Sequence, residues 1–120
     1  MTNITWLNPD DFTAIKVERP SGTIELRVND FITYEGRPDG LIIKQFISNA
    51  TDLRGPIGLT FLPWRKAEGR WGTPRFTMKG NDHFIICYPV GLQHYGTHIN
   101  WDTVTLARQP LNPLNPLDAL

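Results

Sequence analysis

TIELRVNDFITYEGRPDGLIIKQFI, residues 23–47, is the stretch that decides the fold. Apolar and polar residues alternate over TIELRV (23–28), which is the period of a half-buried antiparallel strand. DFITYE (30–35) also has strand character, and the turn-forming group EGRPDG (35–40) follows it. LIIKQFI (41–47) is almost uniformly apolar, so it is expected to be a central strand that is covered on both faces. The stretch therefore predicts consecutive antiparallel strands.

The same pattern continues on both sides of this stretch. Ten glycines and ten prolines recur in turn-forming groups and divide the chain into short segments of strand character. Helical periodicity is absent, although Asn8 and Pro9 favour one turn of helix near residues 8–12. The other predicted strands are TAIKVE (13–18), IGLTFLPW (57–64), PRFTMK (74–79), HFIICYPV (83–90) and INWDTVTLA (99–107).

These segments predict an all-β fold, a small barrel-like domain of short antiparallel strands. A chain of 120 residues can bury most of its apolar surface in one core, so residues 1–107 are expected to form a single domain. Residues 108–120 carry a Leu-Asn-Pro repeat, which predicts an extended Pro-rich C-terminal tail that packs on the barrel or on a partner. The core residues expected from the two least polar strands are Ile42, Phe46, Phe84, Ile86 and Cys87.

Charge and cysteine content restrict the partners and the location. Twelve Lys and Arg balance twelve Asp and Glu, so the chain as a whole has no electrostatic attraction to nucleic acid or to an anionic membrane. No segment approaches the roughly eighteen apolar residues of a membrane-spanning helix, and no leader pattern is found. Cys87 stands alone in an apolar run, which indicates a reducing compartment. We expect an intracellular protein, cytoplasmic or nuclear, with no membrane partner.

Sequence patterns for catalysis and for cofactors are missing. The chain contains neither a G-x-S-x-G nucleophile elbow nor a glycine-rich phosphate loop. His94 and His98 are four residues apart, as are His83 and Cys87. That interval brings two ligands to one metal on a helix but not on a strand. We therefore expect no enzymatic activity, no cofactor and no metal site.

PWRKAEGRWG, residues 63–72, combines large aromatic area with concentrated charge. Extended through Lys79, the stretch holds five cations and one acid in a chain of zero net charge. Such a mixture is typical of surfaces that bind single-stranded nucleic acid or peptides. KAEG (66–69) is equally a hairpin loop that would pair Trp64 with Trp71 across two strands. We expect Trp64 to lie partly in the core and Trp71 to be more exposed.

Part of the chain resembles a known family. VNDFITYEG (28–36), LIIKQFIS (41–48) and LTFLPWR (59–65) look like the opening strands of a bromo-adjacent homology domain, over roughly a third of the chain. The resemblance implies a β-barrel interaction module of chromatin proteins, some of which hold a methylated lysine in an aromatic cage. SH3-like barrels, including Tudor-type readers, share these features. The cage candidates that the resemblance implies are Tyr34, Phe61 and Trp64.

The function that the sequence favours is a non-enzymatic interaction module that binds a protein or peptide. If the chain belongs to chromatin, this module is expected to be a reader of histone tails. The alternative is a nucleic-acid-binding barrel that uses the basic and aromatic stretch 64–79, and a small β enzyme is third. The sequence leaves the oligomeric state open. The expected binding residues are Tyr34, Phe61, Trp64, Arg65, Arg70 and Trp71.

Overall fold

The computed structural model describes residues 2–48, 54–79, 84–87 and 94–110, with the backbone alone described at 85–87 and 94–98. Within these ranges the chain is all-β, as the sequence predicts. One turn of 3-10 helix, Trp101–Thr103, is the only helical element of the described residues. The strands are β1 (Asn3–Asn8), β2 (Asp11–Arg19), β3 (Gly22–Arg27), β4 (Phe31–Tyr34), β5 (Arg37–Ile47), β6 (Gly58–Arg65), β7 (Arg70–Trp71), β8 (Arg75–Lys79), β9 (Phe84–Cys87), β10 (His94–His98) and β11 (Thr105–Ala107).

The strands form two antiparallel sheets. The smaller sheet has the order β1-β2-β3, and the larger has the order β10-β9-β8-β6-β5-β4-β11, with β7 added to β6. Among the described residues β10 and β11 each pair on one side only, so the larger sheet does not close into the expected barrel. Two sheets that face each other bury the apolar sides of their strands without closure.

The first hairpin replaces the turn of helix expected near residues 8–12. Asn8 pairs with Asp11, so Pro9 and Asp10 form a two-residue turn between β1 and β2. The Asp11 carboxylate accepts hydrogen bonds from the backbone N–H and the hydroxyl of Thr13, at 2.9 and 2.6 Å. The helix prediction is wrong because the alternating residues on both sides of Pro9 pair as strands, which buries more apolar surface than one helical turn.

One hydrophobic core lies between the two sheets. The predicted core residues Ile42, Phe46 and Phe84 are buried, whereas the side chains of Ile86 and Cys87 lie outside the described residues. β5 is covered on both faces, as expected: Leu41 and Ile43 join the core, and Ile42 is buried on the opposite face. The core cluster consists of Trp6, Ile15, Val17, Leu26, Ile32, Tyr34, Leu41, Ile43, Phe46, Leu59, Phe61, Phe84, Ile99, Trp101 and Val104.

A side chain of the smaller sheet binds the segment that leads into β11. Arg19 donates from Nη1 to the carbonyl oxygens of Trp101 and Val104, both at 2.7 Å. Ser21 donates from its backbone N–H and its hydroxyl to the Asp102 carboxylate, at 3.2 and 3.0 Å. The turn between β2 and β3 is thereby fixed to the 3-10 helix.

The predicted tail begins at residue 108. Residues 108–110 have no regular secondary structure, and Gln109 donates from Nε2 to the carbonyl oxygen of Asn29 at 3.3 Å. Residues 111–120, which carry most of the Leu-Asn-Pro repeat, lie outside the described residues. The extended conformation of the tail therefore stays a prediction.

Candidate functional site

The stretch 63–72 forms the hairpin of β6 and β7. Trp64 pairs with Trp71, and Arg65 pairs with Arg70. The backbone N–H of Glu68 donates to the Arg65 carbonyl at 3.0 Å and closes the loop. Gly69 has a φ of 64°, a left-handed conformation that glycine adopts without steric cost. The loop KAEG is therefore a tight connection, as the sequence predicts.

The hairpin separates its tryptophans from its arginines. Neighbouring residues of a strand point to opposite faces, so the Trp64–Trp71 pair and the Arg65–Arg70 pair lie on opposite sides. The two indoles meet edge to face with ring centroids 5.0 Å apart, and the Phe31 ring lies 6.1 Å from Trp71. Trp64 is 8% exposed, whereas Trp71 is half-buried. This is the expected division between the two tryptophans.

The expected aromatic cage does not form. Tyr34 and Phe61 belong to the core between the sheets, and Phe61 is 0% exposed. Phe61 and Trp64 are three residues apart on β6, and strand alternation directs them to opposite faces of the sheet. A cage needs rings that converge around a site that solvent can reach. The three candidates do not meet this requirement.

A pocket of about 350 Å³ lies beside the arginine side of the hairpin. Leu41 and Phe61 belong to the core, and Leu41 pairs with Pro63 while Phe61 pairs with Arg75. The face of β5, β6 and β8 that covers the core therefore extends beyond the core at this end of the sheet. Arg37 pairs with the core residue Tyr34, and a register shift between this pair and the Ile32–Leu41 pair, with Gly40 at a φ of 92°, interrupts the alternation along β5. The pocket is lined by Arg37, Asp39, Pro63, Trp64, Arg65, Lys66, Ala67, Glu68 and Arg75.

Cations outnumber carboxylates in this pocket, which we call the basic pocket. Its cations are Arg37, Arg65, Lys66 and Arg75, and its carboxylates belong to Asp39 and Glu68. Arg70 donates from Nε to the Glu68 carboxylate at 2.8 Å, and Arg65 approaches the same oxygen at 3.5 Å. The hydrogen bond from Arg70, with the charges of both arginines, lowers the pKa of Glu68. The pocket therefore carries a net positive charge at neutral pH.

Two buried donors, one on Arg37 of the pocket wall and one on the neighbouring Tyr34, have no acceptor among the described side chains. The Arg37 Nε–H is buried and has no acceptor among the described residues, and the same holds for the Tyr34 hydroxyl. Tyr34 and Arg37 are paired across β4 and β5. Burial raises the pKa of Tyr34, and the neighbouring Arg37 offsets part of the rise, so the hydroxyl stays protonated. An unsatisfied buried donor costs about 1–3 kcal/mol.

The structure divides the basic stretch 64–79. Arg65 and Arg75 line the basic pocket. Lys79 lies in a separate pocket of about 180 Å³, which is formed with the start of β1. Single-strand nucleic acid binding would use one continuous groove, which these positions do not supply within the described residues.

Arg37 and Asp39 are site residues that the sequence prediction missed. The sequence predicts a turn over the whole group EGRPDG, but the turn contains only residues 35–36 and β5 begins at Arg37. A strict period of two does not lead from Leu41 to them, because the register of β5 on β4 shifts between the Leu41–Ile32 pair and the Arg37–Tyr34 pair.

No cluster of three metal-ligating side chains occurs among the described residues. The side chains of His83, Cys87, His94 and His98, which the sequence raised as metal ligands, lie outside those residues. The described part of the chain also contains no helix that is long and apolar enough to cross a membrane.

Comparison with protein-family models, with curated proteins and with solved structures gives no match. Function must therefore be argued from the site, because a fold by itself does not define one.

Proposed function

We propose that this chain is a non-enzymatic interaction module for a protein or peptide, and that its basic pocket binds an acidic segment of that partner. The observation that supports the proposal is the convergence of four cations from β5, the β6–β7 hairpin and β8 on one pocket. The chain has zero net charge, so this concentration of positive charge is local. A local patch of one sign favours a partner of the opposite sign.

The geometry favours an acidic partner over a methylated lysine. Tyr34 and Phe61 are in the core, and a lysine-rich histone tail would meet repulsion from the cations of the basic pocket. The resemblance to bromo-adjacent homology domains supports protein binding in general. The contacts of the pocket support an acidic ligand in particular.

Nucleic acid is the second candidate, because Trp71 is half-buried on a hairpin that also carries Arg65 and Arg70. A base could stack on the accessible part of this indole. The arginines, however, lie on the other side of the hairpin. A strand that used both would have to pass around the edge of β7, so this candidate ranks below the acidic peptide.

The test compares two charge reversals, Arg65→Glu and Arg27→Glu. Both arginines are exposed and each pairs with one glutamate, Arg65 with Glu68 at 3.5 Å and Arg27 with Glu25 at 3.1 Å. Only Arg65 lines the basic pocket. Titration with a fluorescent Asp/Glu-rich peptide should show affinity lowered about tenfold or more by Arg65→Glu and hardly changed by Arg27→Glu. Equal losses, or no binding of the peptide by the unaltered chain, would contradict the proposal.

A single-stranded oligodeoxynucleotide, titrated in parallel at several salt concentrations, distinguishes nucleic acid from an acidic peptide as the ligand. Binding driven by backbone phosphates weakens steeply with salt, with a slope set by the number of phosphates neutralised. If the oligonucleotide binds more tightly than the acidic peptide and shows this slope, nucleic acid replaces the peptide as the ligand.

A further inference from the structure

The cations of the basic pocket form two groups. Arg37 and Arg75 are half-buried on β5 and β8, whereas Arg65 and Lys66 are exposed on the hairpin. A ligand that entered past the exposed pair would therefore meet two arginines whose guanidinium groups are partly shielded from water. Partial shielding strengthens a charge-assisted hydrogen bond relative to one at the surface.

Arg37 has a donor that suits an oxyanion. Arg37 lines the pocket and is half-buried, next to the buried Tyr34 with which it pairs across the strands. An oxyanion in the pocket would accept from the part of the Arg37 guanidinium that lines it. The planar guanidinium also presents its donors in a fork that fits phosphate and carboxylate oxygens.

The balance of charge distinguishes between these two oxyanions. Four cations line the pocket with two carboxylates, and one of those carboxylates, Glu68, is shared by Arg65 and Arg70. A phosphomonoester carries close to two negative charges at neutral pH, whereas a carboxylate or a phosphodiester carries one. The excess of cations matches the phosphomonoester best.

We propose that the basic pocket is a phosphate subsite that receives a phosphorylated side chain of the partner, with the half-buried Arg37 and Arg75 as its inner donors. This inference rests on the function proposed above and narrows its ligand. The phosphate accepts hydrogen bonds from Arg37 and Arg75, and Arg65 and Lys66 neutralise its outer oxygens. A pocket of about 350 Å³ has room for the phosphate and part of the side chain that carries it, against Pro63.

The experiment uses three peptides with the same acidic sequence that differ at one central position, which is serine, phosphoserine or glutamate. The unaltered chain should bind the phosphoserine peptide about tenfold more tightly than the other two. Arg37→Gln should reduce this preference to less than about threefold, while Arg27→Gln, on the smaller sheet, should leave it unchanged. Circular dichroism and urea melts check that each variant is folded; if Arg37→Gln is not, Lys66→Gln, at an exposed position, takes its place.

The outcomes separate this inference from the proposed function. If the glutamate and phosphoserine peptides bind equally well, or if Arg37→Gln keeps the full preference, the phosphate subsite is wrong while acidic-peptide binding stands. If a single-stranded oligonucleotide binds more tightly than the phosphoserine peptide, the phosphomonoester assignment is wrong as well. If no acidic peptide binds and Arg65→Glu changes nothing, both proposals fail.

Discussion

At the scale of single residues, Glu68 controls the charge of the basic pocket. Its carboxylate lies 2.8 Å from Arg70 Nε and 3.5 Å from Arg65 Nη1, and it is also part of the pocket wall. An anionic ligand must therefore share Arg65 with a carboxylate that is already present. Removing that negative charge should favour the ligand and weaken the hairpin loop slightly.

Glu68→Gln should tighten the binding of an acidic peptide by roughly threefold to tenfold, because a like charge within a few ångströms of the ligand is removed. Peptide titration by fluorescence anisotropy measures the change. Glu18→Gln is the control, since Glu18 is likewise an exposed carboxylate in an ion pair, with Lys16 at 3.1 Å, but lies on the smaller sheet. Unchanged affinity in Glu68→Gln would show that the ligand does not approach this wall.

The same substitution has a defined dependence on pH. The pKa of Glu68 is lowered in the folded chain below its ordinary 4.5, so its contribution to stability is present above that ordinary value and is lost as pH falls through the lowered one. The difference in urea midpoint between the unaltered chain and Glu68→Gln should therefore be small at pH 7 and vanish at about pH 2. A difference that persisted in acid would have another cause than the charge.

At the scale of elements, local sequence signals predicted the β6–β7 hairpin but not the basic pocket beside it. The KAEG loop and the Trp64–Trp71 pair follow from local signals, namely glycine in the loop and aromatic residues at equivalent positions. The basic pocket does not follow from local signals. Arg37 and Arg75 lie near Arg65 because β5 and β8 both pair with β6 in the registers that the structure shows. Register between distant strands depends on which faces the core buries, and one sequence window does not contain that information.

Truncation of the two tryptophans should give unequal losses of stability. Trp64→Ala removes an indole that is 8% exposed and should lower the free energy of unfolding by about 3–5 kcal/mol. Trp71→Ala removes a half-buried indole and should cost about 1–2 kcal/mol. Urea denaturation of both variants provides the comparison. A larger loss for Trp71→Ala would mean that Trp71, and not Trp64, holds the hairpin on the sheet.

At the scale of the whole molecule, the two sheets share a core, and the hydrogen bonds of Arg19 add a polar link from the smaller sheet to the segment before β11. Most strands could be predicted from alternation and turn residues, but β1 and β10 were missed, and the sequence did not indicate that the strands divide into two sheets. Arg19 illustrates why: its partners, the carbonyls of Trp101 and Val104, are more than eighty residues away in sequence. Every residue has a backbone carbonyl, so the sequence does not show which carbonyls an arginine will bind.

Arg19→Met should lower the free energy of unfolding by about 2–4 kcal/mol, because two partly buried carbonyls lose a charged donor at 2.7 Å. Lys16→Met, on the same strand, removes only an exposed ion pair with Glu18 and should cost less than about 1 kcal/mol. Urea melts measure both. Similar small losses in the two variants would show that the apolar core alone joins the sheets.

The pairing of β4 with β11 has a consequence for the order in which the chain folds. Thr33 meets Thr105 across these strands, 72 positions later in the chain, whereas β1, β2 and β3 pair with their immediate neighbours in sequence. Closing so long a loop carries an entropy cost, so we expect the three-stranded sheet to form before the β4–β11 pairing. During synthesis the ribosome delivers residues 105–107 long after β4. Until β11 is synthesised, the backbone N–H and C=O groups on this edge of β4 have no strand partner. In that interval the edge could pair with a strand of another copy of the chain.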